Sequence, residues 1–109
     1  MAGYVLTGAS SIPQLVSRAL AMAASAAGLA DEAGQQFETA LRQAREMNAS
    51  TELAEASYWY ARHLLELTPS ENREDGLDLL AEARRTWQRL GMARQLERAD
   101  QLESAARRA

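Results

Sequence analysis

The chain has 109 residues, of which 47% are hydrophobic, and a formal charge of −3 spread over interleaved acidic and basic residues. This length suits one compact domain, and the charge balance argues against a strong nucleic-acid footprint, so we expect no nucleic-acid partner. The absence of cysteine excludes disulfides and thiolate chemistry. No apolar run reaches the roughly 18 residues of a membrane span, so we expect a cytoplasmic protein with no membrane partner.

Helical periodicity governs the first half of the chain. Residues 1–10 are weakly patterned and are predicted to be flexible or extended. Ser11 and Gln14 match a capping box at the start of a first helix, which we expect from about 12 to 27. A second helix is expected from about 31 to 47. The residues of its predicted buried stripe recur at helical spacing: Ala33, Phe37, Ala40, Leu41 and Ala44.

A helical hairpin is predicted between residues 54 and 92. Its first helix ends near the residues before Pro69, because proline disfavours the α conformation at the residue that precedes it. Its second helix begins at Asn72, a favourable N-cap, and ends at Gly91, which adopts positive φ without steric cost. A fifth helix is expected from about 92 to 107.

Small residues in this hairpin predict a close approach of its two helices. Ala61 lies in the middle of the first, and Gly76 and Ala83 lie on the second. A glycine inside a helix costs roughly 1 kcal/mol relative to alanine, so Gly76 requires a packing reason. Four bulky residues are expected to pack around the contact: Tyr60, Leu64, Leu80 and Leu90.

The two halves of the chain share a small–large–small signature. Ala33, Phe37 and Ala40 repeat as Gly76, Leu80 and Ala83, within the phrases LADEAGQQFETALRQA and GLDLLAEARRTWQRLGM. Together with YARHLLEL and the final QLERADQL, this pattern resembles the tetratricopeptide repeat over roughly residues 9 to 103. The resemblance is closest to the longer-helix version at the C-terminal end of large bacterial ATP-binding signalling regulators. Some of these carry a cyclase domain, and others carry a helix-turn-helix domain.

This resemblance implies an all-α fold, with two antiparallel helical hairpins and a C-terminal capping helix in an α-solenoid over residues 11–109. It implies a non-catalytic module that binds a protein, a peptide or other domains of a parent chain, without a cofactor. A small-ligand sensor that controls a linked cyclase or DNA-binding module is the alternative. Its pocket is expected near Met22, Met47 and the Tyr58–Trp59 region.

The repeat alignment also predicts a partner-binding groove, formed by the first helices of successive repeats. Aromatic and arginine side chains are typical anchors of protein interfaces. The alternative is that Tyr58 and Trp59 only cover neighbouring helices. The residues predicted to line the groove are Leu15, Arg18, Met22, Glu55, Tyr58, Arg62 and Leu65.

The sequence shows no set of residues typical of a catalytic or metal site. We expect His63, the only histidine, on the helix surface beside Trp59 rather than as a metal ligand with Glu66, because it lacks a second His or Cys. Trp87 is predicted to lie in the core, under the fifth helix. With no nucleophile beside a base, we expect no enzymatic activity, no metal and no cofactor.

The first helix carries almost no charge besides Arg18. We therefore expect this end of the array to associate with another surface. Either an upstream helix of a parent chain or a second copy would cover it, which makes a homodimer through this helix possible. The alanine-rich run after Arg18 also has features of a signal peptide, but we favour its place in the helical array.

Overall fold

The computed structural model describes residues 12–67 and 72–108, except for the side chains of residues 12–15 and 67. These residues form five α-helices and no strand: α1 Ile12–Ala26, α2 Ala30–Glu46, α3 Ser50–Leu67, α4 Arg73–Leu90 and α5 Ala93–Arg108. The prediction of an all-α fold with about five helices is confirmed. The predicted flexible or extended segment 1–10 lies outside the described residues.

The helix ends follow local chemistry in most places. Gly28 (φ 80°) follows α1 and Gly91 (φ 69°) ends α4, both in the left-handed conformation that glycine adopts without steric cost. Asp31 and Glu32 lie in the first turn of α2, where they suit the positive end of the helix dipole. Asn72 precedes α4 as predicted, but its side chain makes no capping hydrogen bond.

The central element of the fold is α3. Each helix packs against the next one in the chain, and α3 also contacts α1 and α5. Among the described residues, no Cα atom of α2 lies within 8 Å of one in α4, and the two helices are joined through the side chains of Arg45 and Glu82. Both therefore lie against α3 with a gap between their backbones.

The core is built on alanine as well as on large side chains. The predicted buried stripe of α2 is confirmed, since Phe37 and its four partners are all buried. Trp87 is fully buried in a cluster that joins α3, α4 and α5, as predicted. Alanines such as Ala61 and Ala83 separate the bulky groups, so that the helix backbones approach closely.

One predicted core contact is wrong. Leu90 is 47% exposed, although it was expected to pack around the α3–α4 contact. It lies ten residues beyond Leu80, and at about 100° per residue its side chain is turned about 80° away from that buried residue. In the part of the chain that the structure describes, no helix is both long and apolar enough to cross a membrane.

Candidate functional site

A half-open cleft of about 430 Å³ lies between α1, α2 and α3, and we call it the α1–α3 cleft. Its wall is mainly apolar, with two charged side chains and a histidine from α3. Its lining residues are Met22, Ser25, Ala26, Phe37, Trp59, Arg62, His63 and Glu66.

Helical spacing explains how two segments supply most of these side chains. Trp59, Arg62 and Glu66 follow one another at intervals of three and four on α3, so they share one side of that helix. Met22 and Ser25 are three residues apart on α1 and share a side in the same way. The cleft therefore forms where these two helix faces meet above Phe37 of α2.

His63 lies at the base of the cleft and is buried, with only 3% of its surface exposed. Its Nδ1 atom is 2.8 Å from Ser25 Oγ, and its ring lies 5.7 Å from that of Phe37. Burial lowers the pKa of His63, and a hydrogen bond with the backbone of Ala30 opposes this shift. The prediction of a surface histidine is wrong, because Ser25 and Ala30, on either side of the α1–α2 turn, both reach its ring.

Trp59 forms the aromatic wall of the cleft and remains partly exposed. The guanidinium carbon of Arg62 lies 5.2 Å from its ring centroid, and that of Arg98 lies 5.8 Å from it. Both distances are within the range of cation–π attraction. Arg62 Nε is also 3.1 Å from Glu66 Oε1, so it is held at the rim by a carboxylate and a ring.

Two ion pairs hold α3 to its neighbours on either side of this aromatic wall. Arg18 Nε lies 2.6 Å from Glu52 Oε2 and joins α1 to α3. Arg98 Nη2 lies 3.5 Å from Glu55 Oε1 and joins α5 to α3. The resulting surface is polar at its edges and apolar at the α1–α3 cleft.

The structure brings together only part of the predicted groove. Met22 and Arg62 line the cleft, whereas Arg18 and Glu55 belong to the flanking ion pairs. Leu65 instead packs toward α4, where it faces Gly76. The side chain of Leu15 lies outside the described residues.

Tyr58 requires a correction. It is only 5% exposed and lies against Trp87 and Arg98, rather than opening toward the cleft. Trp59 is one residue on, about 100° further round the helix, and it occupies the position expected of Tyr58. The alternative, that these aromatic residues cover neighbouring helices, therefore holds for Tyr58.

Five residues of the cleft were not predicted from the sequence: Ser25, Ala26, Phe37, His63 and Glu66. A signal for Glu66 was present, since it follows Trp59 by seven residues and Arg62 by four. Ser25 and His63 gave no such signal, because they are 38 residues apart in the chain.

Ser25 and His63 form a hydroxyl–imidazole pair that was not predicted from the sequence. Within the described residues, the other hydrogen bond of the imidazole goes to the Ala30 backbone, so no carboxylate orients the ring as in a Ser–His–Asp triad. The described residues also contain no group of three or more acidic or histidine side chains suited to a metal ion.

The chain matches no protein family, no curated protein and no solved structure in the comparisons made with each.

Proposed function

We propose that the chain is a non-catalytic protein–protein interaction module of the tetratricopeptide-repeat type. Two features support this proposal: each helix packs against the next one in the chain, and α3 contacts both α1 and α5. In a stack of helical hairpins, the first helix of each hairpin lies beside the first helix of the next, which creates a continuous binding surface. We further propose that the module is a regulatory segment of a larger signalling ATPase, cyclase or transcription regulator.

The observation that carries the proposal is the partly exposed Trp59 at the wall of the α1–α3 cleft. Tryptophan and arginine are the commonest side chains at energetic centres of protein interfaces. Trp59 and Met22 offer an apolar surface, and Arg62 and Glu66 offer polar groups at its rim. The expected partner is a protein segment or peptide that inserts an apolar side chain between Met22 and Trp59.

The experiment selects peptides from a random display library on the intact chain and measures their affinity for variants. We expect Trp59→Ala to weaken the selected peptides at least about tenfold, as for an interface hot spot. Leu90→Ala is the control, since Leu90 is exposed and does not line the cleft. Peptides whose affinity is equal for both variants would show that the binding surface lies elsewhere.

A small-ligand sensor is the second candidate function, and the size of the cleft favours it. About 430 Å³ lies within the range of roughly 300–1,000 Å³ typical of small-molecule sites. The buried Ser25–His63 pair would supply the polar contact that orients a ligand. A fragment screen followed by Trp59 fluorescence tests this function. Saturable binding that changes the fluorescence and is weakened in His63→Gln would support the sensor, and a screen that yields no such fragment would count against it.

Self-association through α1 is the remaining proposal about partners. Val16 and Leu20 are half exposed one turn apart, on a helix with little charge. Light scattering over a range of concentrations tests it on the wild type and on Leu20→Glu, with Leu90→Glu as the matched control. If the wild type forms a dimer that Leu20→Glu dissociates and Leu90→Glu does not, the result supports pairing through α1. A wild type that is monomeric at every concentration contradicts it.

A further inference from the structure

A second groove runs between α2 and α4, and we call it the α2–α4 groove. It lies on the other side of His63, the one described residue that lines both this groove and the α1–α3 cleft. It consists of two adjoining cavities, of about 430 and about 700 Å³, which share Glu38, Tyr60, Leu64 and Asn72. It exists because α2 and α4 both lie against α3 while, in the described part of the chain, their Cα atoms stay more than 8 Å apart. The exposed side of α3 between them becomes the floor.

The floor of the α2–α4 groove is apolar. The ring of Tyr60 stacks on that of Phe37, with the centroids 5.1 Å apart and the planes 10° from parallel, so its orientation is held by the core. Leu64 follows Tyr60 one turn later on α3, and Leu41 and Leu79 flank the floor from α2 and α4. Two apolar side chains one helical turn apart match the spacing of an apolar stripe on a second helix.

The walls of the groove are more acidic than basic. Arg45 Nη2 lies 3.5 Å from Glu82 Oε1, and this pair bridges the groove near one end. The other charged side chains that line the groove are four acids and two arginines: Asp31, Glu38, Asp75 and Asp78, with Arg42 and Arg85. An incoming cationic group therefore meets a net negative wall.

The raised pKa of the Tyr60 phenol reflects its burial and the same negative charge of the groove walls. Its pKa is raised to about 12, first by burial, then by a hydrogen bond with Glu38, and then by the negative charges of Glu38 and Asp75. The carboxylates of both walls thus act together on one group at the floor, although they belong to different helices.

Gly34 lowers one wall of the groove. It lies inside α2, and a Cβ atom at this position would meet nothing within 4 Å. A glycine inside a helix costs about 1 kcal/mol relative to alanine, and no contact within the described residues explains this one. The low wall would let the backbone of a docked segment approach α2 closely.

We propose that the α2–α4 groove docks a basic amphipathic helix of a partner protein. The apolar stripe of this helix lies on Tyr60 and Leu64, and its lysines or arginines face Glu38, Asp75 and Asp78. A helix of about 14 residues is about 21 Å long, which equals the span of α2 along the groove from Asp31 to Arg45. This second docking surface does not depend on the α1–α3 cleft.

The probe is a labelled peptide of about 14 residues, built from leucine and lysine with leucines at helical spacing. The same peptide with glutamate in place of lysine tests whether binding requires positive charge. A shuffled leucine–lysine peptide without the apolar stripe tests whether binding requires an amphipathic helix. Fluorescence anisotropy on the full chain measures each affinity. We expect binding of the amphipathic basic peptide only, with an affinity that falls as salt is added.

Two variants locate the binding site. Gly34→Leu places a side chain in open space at the low wall, and we expect at least about tenfold weaker binding, as for a blocked interface centre. Asp75→Asn combined with Asp78→Asn is expected to weaken binding by removing two charges. Glu74→Gln is the matched control, since Glu74 shares the first turn of α4 with Asp75 but does not line the groove.

Circular dichroism on every variant establishes that the helices are intact. Equal effects of Glu74→Gln and of the paired Asp75 and Asp78 substitutions would overturn the proposal, as would equal affinity for the shuffled peptide or no binding at all. Binding that survives Gly34→Leu but is lost in Trp59→Ala would place the peptide in the α1–α3 cleft, against this proposal but in favour of the proposed function.

Discussion

Gly76 of α4 packs directly against Leu65 of α3. A Cβ atom at Gly76 would meet Leu65 Cγ at 2.9 Å and the Ala61 carbonyl oxygen at 3.4 Å. The first distance is shorter than side chains tolerate, so these two helices approach as closely as they do because residue 76 has no side chain. The close approach of Leu65 is the packing reason that the sequence led us to expect for Gly76.

The two interior glycines are expected to respond to alanine in opposite directions. Gly76→Ala forces Leu65 and the helix contact apart, and we expect a loss of about 1–3 kcal/mol in the free energy of unfolding. Gly34→Ala meets open space and should raise it by up to about 1 kcal/mol through helix propensity. Urea unfolding of both variants measures the difference. A Gly76→Ala variant as stable as the wild type would show that the contact is loose.

His63 predicts a loss of stability in mild acid. Its pKa is lowered in the folded chain by burial, so below about pH 6.5, the ordinary value, the unfolded chain binds a proton that the folded chain does not. The free energy of unfolding therefore falls as pH decreases through this value, by at most about 1.4 kcal/mol per pH unit for one proton. The decrease ends below the folded-state pKa.

Urea unfolding between about pH 8 and pH 5.5 measures this dependence in the wild type and in His63→Gln. The substitution removes the titrating group, so its curve should be flatter over this interval. Parallel curves for the two proteins would contradict a depressed histidine pKa.

Two buried serines, Ser17 on α1 and Ser57 on α3, are expected to respond to alanine in opposite directions. Ser57 Oγ is buried and has no hydrogen-bond partner among the described residues, whereas Ser17 Oγ lies 3.0 Å from Gln43 Oε1. Ser57→Ala removes an unsatisfied hydroxyl and should stabilise the chain by about 1 kcal/mol, whereas Ser17→Ala should cost about 1 kcal/mol. Thermal unfolding of each variant checks the two signs, and destabilisation by Ser57→Ala would mean that this hydroxyl has a partner in solution.

The ion pair between α1 and α3 is expected to contribute more than the one within α3. Arg18 and Glu52 have side chains that are 22% and 13% exposed, and those of Arg62 and Glu66 are 42% and 52% exposed. Double-mutant cycles with alanine should give a coupling of about 1 kcal/mol for the first pair and about 0.3 kcal/mol for the second. Salt should reduce the second more strongly, and equal couplings would contradict this order.

The all-α class, the number of helices and the buried stripe around Phe37 were all predictable from the sequence. These features depend on helical periodicity and on local stop signals such as Gly91, which act within a few residues. The core position of Trp87 followed from helical spacing on α4, where it lies seven residues beyond Leu80. The direction of a side chain from its helix axis is thus a local property, and the sequence determines it.

The tertiary structure decides which residues of other helices cover a given side chain. His63 is buried because the turn that joins α1 to α2 reaches it, across 38 residues of chain. Tyr58 is buried because Arg98 of α5 lies over its ring, 4.6 Å from the centroid. The gap between α2 and α4 likewise depends on how both helices pack against α3. Periodicity describes one helix at a time, whereas burial, clefts and grooves depend on the distance between helices, which is set by small contacts such as that of Gly76 with Leu65.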